Sequence, residues 1–275
     1  MMSTIEDIDF GELYRRHAQL AQREYKMPEV WDVRAQKANK TCGNPQDPYV
    51  QEFLQLMDIQ GAQTLLDIGC GPGTICLPIA KNFKEVYALD FSQGMLDVVQ
   101  SRCKAQQIDN VKTITHSWYD ASWDDVPMCD ITVVSRATMV ADMEDALSKV
   151  NSKTRLRAYV TSTADPHFFN EGLNECLGRR PVGFPNYIYI VNILSQMGYL
   201  PQIGYIHTNI CPAKEFATPF DAFVESLSWA AGEFTQWELE KLKAYFDRRY
   251  YGKPISDFST RTWALVSWNM RRGWL

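Results

Sequence analysis

Leu66-Asp67-Ile68-Gly69-Cys70-Gly71-Pro72-Gly73-Thr74 is the stretch on which the fold turns: a short apolar run that ends in three glycines within five residues. Residues 64–68 have the length and apolar character of a strand buried in a parallel sheet, and residues 74–82 read as a helix. Glycine suits the junction, because the chain must turn sharply and a ligand must approach the backbone without meeting a Cβ. Seventeen residues after Gly73, the next strand-like run, Val86-Tyr87-Ala88-Leu89, ends in Asp90. A carboxylate there stands beside the glycine loop and can accept both hydroxyls of a ribose. Together the loop and the acid describe a pocket for an adenine nucleoside.

Outward from this core, strand-like and helix-like segments alternate. Strands are expected at 64–68, 85–90, 111–115, 130–135, 156–162, 202–209 and 260–268. Helices are expected at 48–56, 74–82, 93–106, 141–150 and 188–197, with one or two more within 219–250. This alternation predicts an α/β fold: a doubly wound, mostly parallel seven-stranded sheet with helices on both faces and ligands at the carboxyl ends of the strands. The N-terminal residues 1–47 form a separate segment: an amphipathic helix from Ile5 to Tyr25, then a polar loop or loose cover from Met27 to Pro48. The main domain then spans 48–275, with a Gly-, Asn- and Pro-rich stretch at 165–187 read as an insertion over the site.

The loop itself discriminates between ligands. A dinucleotide needs G-x-G-x-x-G, so that a helix N-terminus faces its pyrophosphate. Here the pattern is G-x-G-x-G, and Thr74 stands where the third dinucleotide glycine belongs. Asp67, two residues before the first glycine, would repel a pyrophosphate but favour an ammonium and a sulfonium. S-adenosylmethionine carries both.

These residues resemble the class I S-adenosylmethionine-dependent methyltransferases, in particular the type 11 group of ubiquinone/menaquinone and biotin-pathway methylases. The resemblance lies in Asp67 to Thr74 and in Ala88-Leu89-Asp90-Phe91-Ser92-Gln93-Gly94-Met95-Leu96, and it covers about residues 48–165 well. It implies a Rossmann-like fold and methyl transfer that leaves S-adenosylhomocysteine. Gly69, Cys70, Gly71, Gly73 and Thr74 are then expected to line the cofactor, with Gly69 and Gly71 against the methionine portion. Asp67 is expected to reach the ammonium, Asp90 the ribose, and Phe91, Ser92 and Met95 the adenine. The third strand leads to His116-Ser117-Trp118, where many relatives carry an acid for the adenine amino group; unless Asp120 shifts inward to supply it, Ser117 or the backbone around Trp118 is expected to take that part. Ser135-Arg136-Ala137-Thr138 follows the fourth strand at the rim, with Ser135 near the methionine and Arg136 facing its carboxylate or an acidic substrate. Trp31-Asp32-Val33-Arg34-Ala35 resembles the stretch that folds over the cofactor in type 11 relatives, which makes Trp31 and Arg34 lid residues.

Composition narrows the partners. The 275 residues are 45% hydrophobic and 22% charged, as in ordinary globular proteins. A net charge of -5 supplies no general attraction for a phosphate backbone, so a small-molecule acceptor is expected rather than a nucleic acid. The fourth-strand loop also lacks the N/D-P-P-Y/W pattern that holds an amino nitrogen. The N-terminal ten residues are acidic rather than basic and apolar, and the longest uncharged run, 181–213, is broken by Pro, Asn, Gln and Gly. Neither an export signal nor a membrane span is expected. Seven cysteines without a C-x-x-C pair suit reduced thiols in a cytoplasm, and neither they nor the four histidines cluster as metal ligands.

A methyl acceptor that arrives protonated needs a base, for which His167, after the fifth strand, and His116 are the candidates. Two other readings stand beside this one. A cofactor-binding sensor or scaffold without turnover would share the same pocket. An NAD(P)-dependent oxidoreductase is opposed by the glycine spacing and by the absence of any tyrosine followed four residues later by lysine.

Overall fold

Leu65, Leu66 and Ile68 are all buried, although successive residues of a strand point to opposite faces. The computed structural model explains this, since β1 (Thr64–Ile68) lies in mid-sheet with a core on each side. The structure describes residues 4–21, 27–41, 45–165, 171–178, 182–208, 218–231, 233–253 and 261–270. The other strands are β2 (Glu85–Asp90), β3 (Val111–Thr115), β4 (Cys129–Val134), β5 (Thr154–Thr163), β6 (Gln202–Thr208) and β7 (Arg261–Asn269). They form one sheet in the order β3-β2-β1-β4-β5-β7-β6, parallel except for β7, which runs antiparallel to both β5 and β6.

One core packs Leu65 with residues of α3 (Pro48–Gln55), α4 (Cys76–Ile79) and α5 (Gln93–Gln106). The other packs Leu66 and Ile68 with α1 (Phe10–Leu20), α6 (Met143–Ser152) and α8 (Tyr187–Gln196). The order reverses at β1 and β4, because the chain winds outward to β2 and β3 on one side and to β5 on the other. Such a reversal opens a crevice at the strands' carboxyl ends, and the glycine loop sits there.

The expected strands and the helices of the main domain are present with small shifts at their ends. The N-terminal segment differs. The first helix is split, a single 3-10 turn at Ile5–Asp7 preceding α1, whose N-cap is Asp9. α1 is fastened across the second core: Tyr14 donates to the Val140 carbonyl at 2.8 Å, and Arg15 reaches Asp142 at 3.0 Å. The stretch expected to be a loop instead carries α2 (Pro28–Thr41), with Pro28 at its first position, where a missing N–H costs nothing. Its polar composition hid it. α2 is held by docking, since Ala35 packs with Met95 and Val98 of α5.

A third cluster stands apart from both cores. Leu173 and Leu177, in and just after α7 (Glu171–Cys176), pack with Phe223 and Leu227 of α9 (Pro219–Ala231) and with Leu242, Tyr245 and Phe246 of α10 (Gln236–Tyr250). α9 and α10 fall between β6 and β7, and therefore connect at the strand ends that also bear the glycine loop. No helix among the described residues is long and apolar enough to cross a membrane, and none of their His, Cys, Asp and Glu side chains form a group that could hold a metal.

Candidate active site

The glycines fulfil three different demands. Gly69, Gly71 and Gly73 have φ of +66°, +53° and +80°, a region that side chains disfavour. At Gly69 a Cβ would come within 2.4 Å of the Ala137 Cβ, so the loop after β4 rests directly on this glycine. At Gly73 a Cβ would strike Leu77 at 2.6 Å. Gly71 instead borders open space, as a backbone that must admit a ligand requires.

Two buried carboxylates flank this loop. Asp67 accepts from the Cys76 N–H at 3.1 Å through Oδ2, while its Oδ1 is buried without a hydrogen-bond partner. Burial pushes its pKa up to about 7; the Cys76 hydrogen bonds oppose this, and the Asp90 charge adds to it. Asp90 accepts from Gly71 N–H at 2.8 Å and from Ser92 N–H at 2.9 Å, joining the glycine loop to the turn after β2. Its pKa too is raised by burial. Neither carboxylate has a cationic side chain within ion-pair distance among the described residues. A buried acid without a counterion is costly, and a ligand bearing a positive charge relieves that cost. Between them Cys70 is buried, its thiol donating to the Gly71 carbonyl at 3.4 Å. Burial and the charges of Cys76, Asp90 and Asp67 keep that thiol protonated, well above its ordinary range.

The turn after β2 is tied to α2. Asp32 Oδ1 accepts from the Ser92 hydroxyl at 2.6 Å and from the Gly94 N–H at 2.9 Å, which caps the start of α5 from outside. Ser92 in turn accepts from the Met95 N–H at 3.1 Å. Met95 packs with Ala35 and Val98, with Trp31 against them, and the Arg34 guanidinium lies 5.0 Å from the centre of the Trp31 ring. Trp31, Arg34, Phe91, Ser92 and Met95 are thus brought to one edge of the crevice, with Thr74 buried at the far end of the glycine loop.

After β3 the arrangement is more closed than expected. His116 is buried, with Nδ1 3.0 Å from Asp120 and Nε2 3.4 Å from Asp125, and its ring meets Trp123 edge-on. Both nitrogens are already engaged by carboxylates of the turn after β3. Asp120 also accepts from the Ser117 N–H at 2.8 Å, and the Ser117 hydroxyl accepts from Tyr119 N–H. Trp118 stacks on Trp123 and donates to the Ala137 carbonyl at 3.2 Å. His167 lies outside the described residues.

At the end of β4, Ser135 Oγ lies 2.7 Å from the hydroxyl of Tyr49, a fully buried residue of α3, and that hydroxyl lies 3.0 Å from Thr161 of β5. Arg136 is exposed, with its guanidinium 4.3 Å from the centre of the Tyr49 ring. Sequence reasoning missed Asp32 and Tyr49. Asp32 sits inside the Trp31–Ala35 stretch, where a short acid at the right distance from Ser92 was the available clue. Tyr49 had none, because its partners come from two distant strands.

The chain has the fold of the class I S-adenosylmethionine-dependent methyltransferases and is similar to their type 11-like group. A methyltransferase-domain family model matches residues 65–155, from β1 to the start of β5. An uncharacterized protein of Haemophilus influenzae is 38% identical over 98% of this chain and 99% of its own. Shorter matches reach the demethylmenaquinone methyltransferase of Geobacillus kaustophilus, 27% identical over 38% of this chain and 46% of that one. They also reach the 23S rRNA (uracil(1939)-C(5))-methyltransferase of Legionella pneumophila, 31% identical over 28% of this chain and 16% of that one. Among solved structures, the YcgJ protein of Bacillus subtilis superposes with a TM-score of 0.56 at 14% identity, covering 82% of this chain and 99% of that one. The fold is shared well beyond detectable sequence likeness.

Proposed function

We propose that the protein transfers the methyl group of S-adenosylmethionine to a small-molecule acceptor, by in-line attack of an O, N, S or C nucleophile. The observation that carries this reading is the pair of buried carboxylates, Asp67 and Asp90, which face no cation among the described residues and lie on either side of a glycine loop that borders open space. When bound, the cofactor supplies a methyl group already activated by the sulfonium charge, so the chain's own task is alignment and exclusion of water.

Asp67 Oδ1 receives the ammonium, directly or through one water. Each Asp90 oxygen keeps a lone pair after accepting its backbone N–H, and these take the ribose hydroxyls. Gly69, Cys70, Gly71 and Gly73 present backbone to the methionine portion, with Ser135 beside it. Phe91 and Met95 border the adenine, while Ser117 and the backbone at Trp118 provide its polar contacts. Residues 1–47 serve as a lid through Trp31 and Arg34, and residues 165–187 with the α9–α10 cluster cover the acceptor. His116 holds the turn after β3, which leaves His167 as the base if the acceptor arrives protonated.

A small acceptor is favoured by the net charge of -5 and by the absence of the N/D-P-P-Y/W pattern after β4. The Legionella rRNA methyltransferase aligns with only 28% of this chain. Five free cysteines among the described residues fit a reducing, cytoplasmic setting. The test is to incubate the pure protein and methyl-labelled cofactor with fractionated metabolites and to identify the labelled product by mass spectrometry. A labelled small molecule is expected. Tight cofactor binding with no fraction ever labelled would instead indicate a sensor, and calorimetric binding of NADH in place of S-adenosylmethionine would indicate an oxidoreductase.

A further inference from the structure

We infer that the methyl acceptor is an anion, gripped by Arg136 through a carboxylate or phosphate group. The inference rests on the proposed methyl transfer and adds to it the charge of the acceptor.

The first observation is conformational. Among the described residues only Gln107 and Arg136 adopt positive φ without being glycine. Gln107 ends α5, where a left-handed residue is a common helix stop. Arg136 ends no helix. Its φ of +56° is unfavourable for a side chain, and such residues persist only where their surroundings over-determine them. Those surroundings are visible. Arg136 N–H donates to Thr161 Oγ1 at 2.8 Å, and the Thr138 hydroxyl donates to the Thr161 carbonyl at 3.0 Å. The same Thr161 hydroxyl and Ser135 fix the Tyr49 phenol from both sides.

The second observation is electrostatic. Arg15, Arg155 and Arg157 each face a carboxylate. Arg136 faces none among the described residues; its neighbours are the neutral Tyr49 ring and the hydroxyls of Ser135 and Thr161. A guanidinium laid 4.3 Å from the centre of a locked ring keeps its plane defined, while its N–H edge stays free to donate two parallel hydrogen bonds. The cofactor's ammonium belongs with the buried Asp67 carboxylate at the glycine loop, which leaves the exposed Arg136, on the loop after β4, for an oxyanion of the acceptor.

The experiment uses the full-length protein, methyl-labelled S-adenosylmethionine and a small-metabolite extract split on anion-exchange resin into retained and unretained pools. Label is expected in the retained pool. Prior phosphatase treatment abolishes it if the anchor is a phosphate, and carbodiimide amidation abolishes it if the anchor is a carboxylate. Arg136→Gln and Arg136→Gly should raise the acceptor KM at least tenfold while S-adenosylmethionine affinity by calorimetry stays within twofold. The glycine variant removes the guanidinium and the backbone strain together, which protects the test from misfolding. Arg136→Lys should fall between, because it retains charge without the planar fork. Label in the unretained pool, or an unchanged acceptor KM in both variants, overturns the inference. So does a loss confined to S-adenosylmethionine affinity, which would assign Arg136 to the donor's carboxylate. A turnover-free arm separates the two readings: melting of the S-adenosylhomocysteine-loaded protein with each pool. Stabilisation by the retained pool in wild type but not in Arg136→Gly supports the anion site even if no label transfers, an outcome that defeats methyl transfer alone; no stabilisation defeats the anion site.

Discussion

A carboxyl group sealed from water titrates according to what it faces, and among the described residues Asp67 faces no cation. In the ligand-free protein its pKa stands at about 7, above that of an unfolded carboxyl. Its contribution to folding is therefore complete below roughly pH 4 and disappears as pH rises through about 7. A bound ammonium inverts the preference by favouring the ionised acid. Cofactor affinity should climb between pH 5 and 7, approaching roughly tenfold per pH unit, with a proton released that calorimetry in buffers of different ionisation heat can count. Asp67→Asn should flatten this profile, and a flat wild-type profile would contradict the assignment. Gly69→Ala combines an unfavourable φ with a Cβ 2.4 Å from Ala137, and should cost about 1–3 kcal/mol in denaturant unfolding while displacing the Ser135–Thr138 loop. Asp90→Ala should weaken cofactor binding by ~1–3 kcal/mol, since it removes a charged hydrogen-bond partner. Affinity equal to wild type would place the ribose elsewhere.

Among the elements, α2 shows most clearly what one chain segment can conceal. β2, α5 and β3 match the ranges read from the sequence residue for residue, and in the structure β2 ends at Asp90 while α5 is capped by Ser92 and stopped by the left-handed Gln107. α2 lacks such signals. Its sequence is polar, and its order comes from Asp32 at the start of α5 and from Ala35 against Met95, contacts that span some sixty positions. The site divides in the same way: Asp67, the glycines and Asp90 are legible because the motif is contiguous, whereas the Tyr49–Ser135–Thr161 knot joins three remote segments. The Ser92 and Gly94 donors hold the Asp32 carboxyl below its ordinary range. The tie between α2 and α5 is therefore present above the ordinary carboxyl range and breaks only in stronger acid. Asp32→Ala should accelerate hydrogen exchange across residues 28–41 and raise the cofactor dissociation rate several-fold in stopped-flow measurements. Unaltered exchange there would show that apolar packing alone seats the helix.

The whole molecule rests on two cores separated by the sheet, with a third built from α7, α9 and α10. Leu242 is fully buried in the third alone. Leu242→Ala should remove about 2–5 kcal/mol from that unit, visible as faster exchange in α9 and α10, while S-adenosylmethionine affinity persists. Loss of both together would mean that the three cores melt as one. The antiparallel β7 carries a further consequence, for the order of assembly. Among the described residues β6 pairs with β7 and with no other strand, and β7 is inserted between β5 and β6. While a ribosome is still adding residues 209–260, β6 has no strand to lie against and β5 keeps one margin bare. The sheet is therefore finished from the inside by its latest-arriving strand, and a nascent chain halted before residue 261 would carry two unzipped margins open to pairing with its neighbours on the polysome.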